Sequence, residues 1–481
     1  MFPTMRTVSR YALHASTSAL AIITIASASA GAQAAATDRQ RDKPTPDPDR
    51  IVLNWSADPS STQSVTWRTD TTITKAIAQV VIASEGPKMA DIARTDTAAT
   101  ERLDTRNAPT KGGVAHFHSV TFAGLQPDTL YAYRVGDGTR WSEWFHFRTA
   151  SSTRDKAFSF LYLGDAQNDI LSLFSRVIRE GFRHAPDMRF IIHAGDLVND
   201  GNSDWQWGEW FHAGGFIHAM VPSIPVAGNH EYRAATAEEA AKNASSLSLY
   251  WKPQFTLPQN GVKGLEESNY WMDYENTRII VLNSNRDRES QTAWMREALR
   301  DNPRAWTVAT FHHPVFSAAT ERDNAALREA WKPVLEEFGV DLVLQGHDHT
   351  YARGRTDLTG PAVTNVPTGV NARDGETGPV YVVSVSGGKM YDAKPGGWER
   401  FQATIDRKAE NTQLFQVIRV AGDTLRYEAR TATGSLYDAF DLIRREGKAN
   451  RFIERAPQGI ETRTMKSIPA YRRAEPPAGN R

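Results

Sequence analysis

Aspartate, asparagine and histidine recur beside Gly or Pro turns at five places in the middle of this chain. The segments are Gly164-Asp165-Ala166-Gln167, Gly195-Asp196-Leu197-Val198-Asn199-Asp200, Gly228-Asn229-His230-Glu231, Phe311-His312-His313-Pro314 and Gly346-His347-Asp348-His349. Their donors are carboxylate and amide oxygens and imidazole nitrogens. With no sulfur among them, the set suits zinc, manganese or iron. Two cations held side by side repel each other, and one shared carboxylate offsets that repulsion; Asp196 is the candidate bridge. The first ion would take Asp165 and His349 with Asp196. The second would take Asn229, His312 and His347 with Asp196. Such a pair clamps a phosphate ester, generates a hydroxide that attacks phosphorus in line, and neutralises the charge that develops. The leaving oxygen then needs a proton. His230, next to Asn229, is placed to give it, with Glu231 or Asp200 to orient the ring. His313, beside His312, is a candidate contact to the phosphate.

Each motif alone is weak. A Gly-Asp at a strand end is commonly a turn or a helix cap, and His-His-Pro can be packing. The weight lies in joint occurrence, because every motif follows an apolar run that reads as a strand. Phe158 to Leu163 ends at Gly164-Asp165, Phe190 to Ala194 at Gly195-Asp196, and Ile224 to Ala227 at Gly228-Asn229. Trp306 to Phe311 and Asp341 to Leu344 precede the last two. Helical spacing fills the intervals, as at Trp205–Met220 and Asn324–Phe338. Strand–helix alternation implies mostly parallel sheets covered by helices, with ligands at the carboxyl ends of the strands.

Ahead of this region, residues 51–150 read as all β, with short alternating runs between turn clusters. About a hundred residues of this kind suggest a two-sheet sandwich of fibronectin type III style. Residues 35–50 are polar and read as a linker. The start of the chain has the pattern of a Sec-type signal peptide over 1–34: basic Arg6 and Arg10, an apolar run from Ala19 to Ala30, and Ala32-Gln33-Ala34 as cleavage site. That run is shorter than the ~20 residues a membrane span needs. Export to the periplasm or outside is the expectation, with no stable membrane insertion. The 481 residues contain no cysteine, so core burial and metal must stabilise the fold and no thiolate can ligate or attack. Lys and Arg total 56, as do Asp and Glu, so charge gives no sign of nucleic-acid binding.

In this order the motifs resemble those of the calcineurin-like metallophosphoesterases. The β region adds to this, because Trp55, Asp58-Pro59, Ser64-Val65-Thr66-Trp67 and Pro127 to Val135 resemble the N-terminal domain of purple acid phosphatases. The resemblance implies a fibronectin type III-like sandwich at 51–150. It is followed at 156–443 by an α/β metallophosphoesterase domain, an αββα sandwich of two mixed sheets. It also implies two divalent ions (Fe, Zn or Mn), a small phosphoester substrate, and metal ligation by Asp165, Asp196, Asn229, His312, His347 and His349. His230 matches the family's acid or substrate-contact histidine.

Two positions depart from the pattern. Purple acid phosphatases carry a tyrosine three residues after the second Asp, and here it is Asn199. Other superfamily members have Asp-x-His in the first motif, and here the His is Gln167. Either Gln167 or Asn199 supplies an amide oxygen, or water fills the place. Without a phenolate ligand the protein is expected to be colourless and to use divalent ions.

Other features are open at this level. The aromatic-dense Asp204 to Phe211 reads as a core helix or as a pocket wall. Ser386 to Tyr391 reads as a simple turn, or brings Lys389 or Tyr391 to the site. Tyr351 and Arg353 are candidate phosphate contacts. From 444 to 481 the chain carries ten Lys or Arg against four Asp or Glu and reads as a poorly packed, solvated basic tail. Hydrolysis of phosphate monoesters is the leading expectation; a phosphodiesterase or nucleotide hydrolase on the same site is the first alternative, and a degenerate, non-catalytic surface-binding protein, supported only by Gln167 and Asn199, is the second.

Overall fold

The computed structural model describes residues 42–356, 375–393 and 397–464. The expected signal peptide lies outside the described residues. None of the described helices is long and apolar enough to cross a membrane.

The first domain is a sandwich of two four-stranded antiparallel sheets. One pairs Asp49–Asn54, Gln63–Thr69, Val114–Phe122 and Ala99–Asp104. The other pairs Arg94–Thr97, Ile77–Ile82, Leu130–Gly136 and Phe145–Arg148. Alternate residues face inward, so Tyr131, Tyr133 and Val135 meet Val65, Trp67, Phe122 and Phe147 in one core. Asp49 and Arg50, at the end of the expected linker, already belong to the first strand, and buried Arg50 pairs with Asp204 of the next domain at 2.8 Å. Two more bonds lock the joint. Buried Tyr133 donates its hydroxyl to Ala219 O at 2.6 Å, and Asn54 Nδ2 donates to Ser223 O at 2.7 Å. The second bond props the Ser223–Pro225 strand, which runs into Gly228-Asn229.

Among the described residues, the second domain holds two eight-stranded mixed sheets. In the first, Ser223–Pro225, Ile191–His193 and Phe158–Leu163 are parallel neighbours, and the antiparallel hairpin Leu414–Ala421 and Thr424–Thr431 continues the sheet. In the second, Thr277–Val281, Trp306–Thr310, Leu342–Gln345 and Val380–Val383 are parallel. These strands are apolar on both faces because both faces are covered. Ile279, Val281, Val308, Leu342 and Leu344 face the first sheet's core. Ile280, Leu282, Ala309, Phe311 and Val343 face Met295, Leu327, Trp331 and Leu335 on the helices Arg288–Arg300 and Ala325–Glu337. The αββα layering follows from that alternation. Asp204–Gly214 is a helix whose Trp207, Trp210 and Phe211 are buried, so the aromatic run is core and not a pocket wall.

Two expectations are corrected between the sheets. Tyr351 and Arg353 are not phosphate contacts. Arg353 is fully buried and meets Asp438 at 2.8 Å, Asp406 at 2.8 Å and Glu454 at 3.0 Å, while Tyr351 donates to Asp438 Oδ2 at 2.6 Å. The expected loose tail from 444 fails for residues 448–463. Lys448–Glu454 pairs with Leu436–Arg445 across a Glu446-Gly447 turn, and Thr462–Arg463 adds to the second sheet. Glu454 on that strand is one of the acids that neutralise Arg353.

Under the aromatic helix, His193 and His218 are buried, and His218 stacks on Trp210 with ring centroids 4.0 Å apart. Burial pushes His218 down to about 3 and His193 well below its ordinary value. Both stay neutral when folded, whereas the unfolded chain takes up protons below the ordinary value of 6.5. Their contribution is therefore complete above pH 6.5 and is lost as pH falls toward the folded value. The melting temperature is expected to drop between neutral pH and about pH 4. A His218→Phe variant, which keeps a ring against Trp210, should show a shallower drop in thermal denaturation followed across that range.

Candidate metal centre

The carboxyl ends of parallel strands from both sheets converge on one point. Asp165, Asp196 and Asn229 arrive on loops from the first sheet. His312, His347 and His349 arrive on loops from the second. The loops approach so closely that a side chain would not fit at two glycines. A Cβ on Gly228 would lie 2.2 Å from Asp196 Oδ1, and one on Gly346 would lie 2.2 Å from Asp165 Oδ1. Asp196 and His347 themselves take positive φ, 50° and 72°, a left-handed conformation that costs a non-glycine residue.

Glu231 holds that strained loop. Its buried carboxylate accepts hydrogen bonds from Asp196 N at 2.9 Å, Leu197 N at 2.9 Å and Gly228 N at 2.8 Å. It thus ties the second motif to the third and does not orient His230, as the sequence suggests. Asp200 has no hydrogen bond to the His230 ring either; its side chain accepts from Asn202 N.

The backbone also sets which atoms face the centre. Asp165 Oδ1 accepts from His347 N at 2.8 Å, and Asp196 Oδ1 accepts from His230 N at 2.8 Å, so both carboxylates turn Oδ2 inward. His312 Nδ1 donates to Ala194 O at 3.0 Å and His349 Nδ1 donates to Lys389 O at 2.8 Å. In each ring the other nitrogen, Nε2, is turned toward the centre. The Lys389 carbonyl is a functional atom the sequence does not advertise. Tyr391 adds to it, packing its ring 4.7 Å from His349. The Ser386–Tyr391 segment is therefore part of the site's wall.

Two groups of inward atoms result, one of Asp196, His312 and His347 and one of Asp165, Asp196 and His349. In the former, His312 Nε2 lies 3.1 Å from Asn229 Oδ1, 3.2 Å from Asp196 Oδ2 and 3.2 Å from His347 Nδ1, with His347 Nδ1 2.9 Å from Asn229 Oδ1. In the latter, His349 Nε2 is 3.1 Å from Asp165 Oδ2. Atoms bound at about 2.0–2.2 Å to one ion, at tetrahedral to octahedral angles, sit roughly 3.0–3.5 Å from one another. The spacing fits a coordination shell. The chemistry of the set fits too, because two carboxylates, an amide oxygen and three imidazoles are gathered side by side, an arrangement that a cation makes favourable. Asp165 Oδ2 is buried with no hydrogen-bond donor.

The electrostatics agree. Burial alone would lower the His312 imidazole, yet the Asp196 and Asp165 carboxylates lift it to about 9. Burial would raise Asp196, yet His312 and His230 hold it well below the usual carboxylate range. Protons are drawn to the place where a cation would sit.

Two further imidazoles flank the groups. His230 is half-buried, with Nε2 3.8 Å from Asp196 Oδ2 and Nδ1 2.5 Å from both Asn199 O and Arg233 Nη2. Its Nδ1 faces the Asn199 carbonyl and the Arg233 guanidinium, its Nε2 faces the centre, and burial pushes the imidazole below its ordinary value. His313 packs its ring 4.2 Å from His347. Its backbone N–H donates to Ser284 Oγ at 3.1 Å, and the same hydroxyl is hydrogen-bonded to Nδ1 at 2.8 Å. Burial and His312 push His313 down to about 3, so the ring is neutral. Of the two unassigned amides, Gln167 lies inside the centre. Asn199 meets it only through its backbone oxygen.

Comparison with known proteins agrees with this architecture. Residues 48–149 match the purple acid phosphatase N-terminal domain, and residues 158–351 match the calcineurin-like phosphoesterase domain. An uncharacterized protein of Mycobacterium tuberculosis is 27% identical over 374 residues, covering 70% of this chain and 68% of that protein. Purple acid phosphatase 15 of Arabidopsis thaliana is 25% identical over 307 residues, covering 56% of this chain and 53% of the plant protein, about half its length. The structure of purple acid phosphatase PPD1 from yellow lupin (Lupinus luteus) seeds shares the fold, with a TM-score of 0.66 at 18% identity, covering 83% of this chain and 75% of that one. Both domains are matched in sequence, and the folds agree across most of the chain. The chain therefore belongs to the calcineurin-like metallophosphoesterases and carries a purple acid phosphatase N-terminal domain ahead of its phosphoesterase domain.

Proposed function

We propose that this protein is an exported phosphomonoesterase that works with two divalent ions. Asp165, His349 and Asp196 would hold one ion, and Asp196, Asn229, His312 and His347 the other. The observation that carries this reading is that one carboxylate, Asp196, belongs to both groups and turns its Oδ2 inward. That oxygen lies 3.2 Å from His312 Nε2 on one side and 2.8 Å from the Gln167 amide on the other. Bound there, the ions supply Lewis acidity and an activated water for attack at phosphorus. The chain's own residues do the rest. His313 offers Nε2–H to a phosphate oxygen, with Nδ1 held by the Ser284 hydroxyl. His230 offers Nε2–H to the leaving oxygen, held in place by Asn199 O. The Ala194 and Lys389 carbonyls keep His312 and His349 turned inward.

A phosphomonoester substrate is supported by the relatives' names, purple acid phosphatase 15 of Arabidopsis thaliana and acid phosphatase type 7 of Danio rerio. Export is supported by the signal-peptide pattern of residues 1–34. The substrate test compares p-nitrophenyl phosphate with bis(p-nitrophenyl) phosphate at matched metal loading. Faster turnover of the monoester is expected. Preference for the diester would move the protein to phosphodiesterase chemistry on the same site. Hydrolysis of neither, nor of any ester in a phosphoester panel, would favour a binding role.

A further inference from the structure

The two groups are unequal. The one around His312 has four protein donors, whereas the one around His349 has three, since neither a tyrosine at 199 nor a histidine at 167 is present. Gln167 occupies the gap. Its side chain is fully buried, its amide nitrogen is 2.8 Å from Asp196 Oδ2 and 3.3 Å from His349 Nε2, and its Oε1 is buried without a hydrogen-bond partner.

Each of those facts bears on the orientation of the amide. The two ends of a carboxamide have nearly the same shape, and a half-turn about its last bond exchanges them. With no cation, nitrogen belongs toward Asp196 and His349, because an oxygen there would put three acceptors together. The cost of that arrangement is an orphaned buried oxygen. A cation among Asp165, Asp196 and His349 reverses the preference. Oxygen would then stand where nitrogen stands now, and the distances of 2.8 and 3.3 Å become separations between ligands of one ion. Asn199 offers no such alternative, because its contact with the site is a backbone oxygen already used by His230 and Arg233.

Resting on the two-ion reading, we infer that Gln167 Oε1 is the fourth protein ligand of the first ion. The first site is thus completed by a neutral amide where the resembled family uses a phenolate or an imidazole. It carries less negative charge than a phenolate site, and so selects divalent over trivalent ions.

The test is titration of chelator-stripped protein with Co²⁺, followed by calorimetry and visible absorption. The native chain should take up two ions. Gln167→Ala should weaken uptake at one site by about 10–100-fold and alter that site's cobalt spectrum, while the other site is unchanged. In a His347→Ala background, which disables the second site, the remaining event reports the first site directly. Gln167→Glu separates ligation from hydrogen bonding. A ligand oxygen is retained, so uptake should stay as tight as native or become tighter. If Gln167 only donates to Asp196, the glutamate would repel that carboxylate and weaken uptake as alanine does, overturning the inference. Unchanged affinity at both sites in Gln167→Ala would overturn it as well, leaving the two-ion reading intact. Failure of the native protein to bind a pair of ions would sink both. Melting temperatures of the stripped variants, expected to match native, show that the fold is kept.

Discussion

Replacing Asp196 with alanine is expected to remove both ions together and to lower kcat/KM on a phosphoester by about 10⁴-fold or more, the scale seen when a catalytic unit loses a central member. Asp196 is the residue common to the two groups, so no other single side chain in them should have this effect. His347→Ala, which strips a donor from one group only, should leave one ion bound. The contrast separates a bridge from an ordinary ligand. Asp196 Oδ1 also accepts from His230 N, so the alanine variant loosens the loop as well. Circular dichroism should nevertheless remain native, because Glu231 still clamps the backbone at residues 196, 197 and 228. Metal content and activity measured on both variants check the claim.

The second large effect lies far from the chemistry. Arg353→Ala should destabilise the fold by about 3 kcal/mol, because it removes the central cation from buried Asp438, Asp406 and Glu454 and leaves only Arg407, 3.3 Å from Asp438, and Arg355, 3.2 Å from Asp406, to offset the first two. Arg353→Lys should fall between native and alanine, since a lysine keeps the charge but cannot fork to three carboxylates. Chemical denaturation measures both. Were Arg353 a phosphate contact, the same variants would keep native stability and raise KM instead. The network joins strands of both sheets with the Lys448–Glu454 strand. Truncation at 443 should therefore fail to give folded protein.

What the sequence made legible was local. An apolar run ending in Gly-Asp or Gly-Asn-His announces a strand and the loop after it within a few residues, so the sheet strands and the six candidate ligands could be placed without tertiary knowledge. The structure gathers those six side chains around one point. What stayed hidden was carried by backbone atoms or by long-range burial. The Ala194 and Lys389 carbonyls that turn His312 and His349 have no side-chain signature. Glu231 sits beside His230 in sequence, yet its partners are main-chain N–H groups on two loops. Arg353 follows the last motif and so looked like a phosphate contact. Only the pairing of Tyr351–Thr356 with the far sheet strands shows that it is enclosed by acids. The strand at 448–454 was masked by its composition, since Phe452 is its one fully buried side chain. A Glu446-Gly447 turn between alternating segments was the available signal.

Asn199 and Gln167 show a different limit. As residue types they only thin the expected ligand set. In the fold they part company, with Asn199 bonded to His230 through its backbone oxygen and Gln167 inside the centre. A missing family residue therefore marks a position to examine in three dimensions before it is read as loss of function.

The most direct test of the account is the metal content of the native protein, read together with activity. Protein prepared without chelators should contain two equivalents of divalent metal per chain and show no visible tyrosinate band. Chelation should abolish hydrolysis of p-nitrophenyl phosphate, and re-adding divalent metal should restore it. Full activity in protein holding one equivalent or none would contradict the two-ion centre.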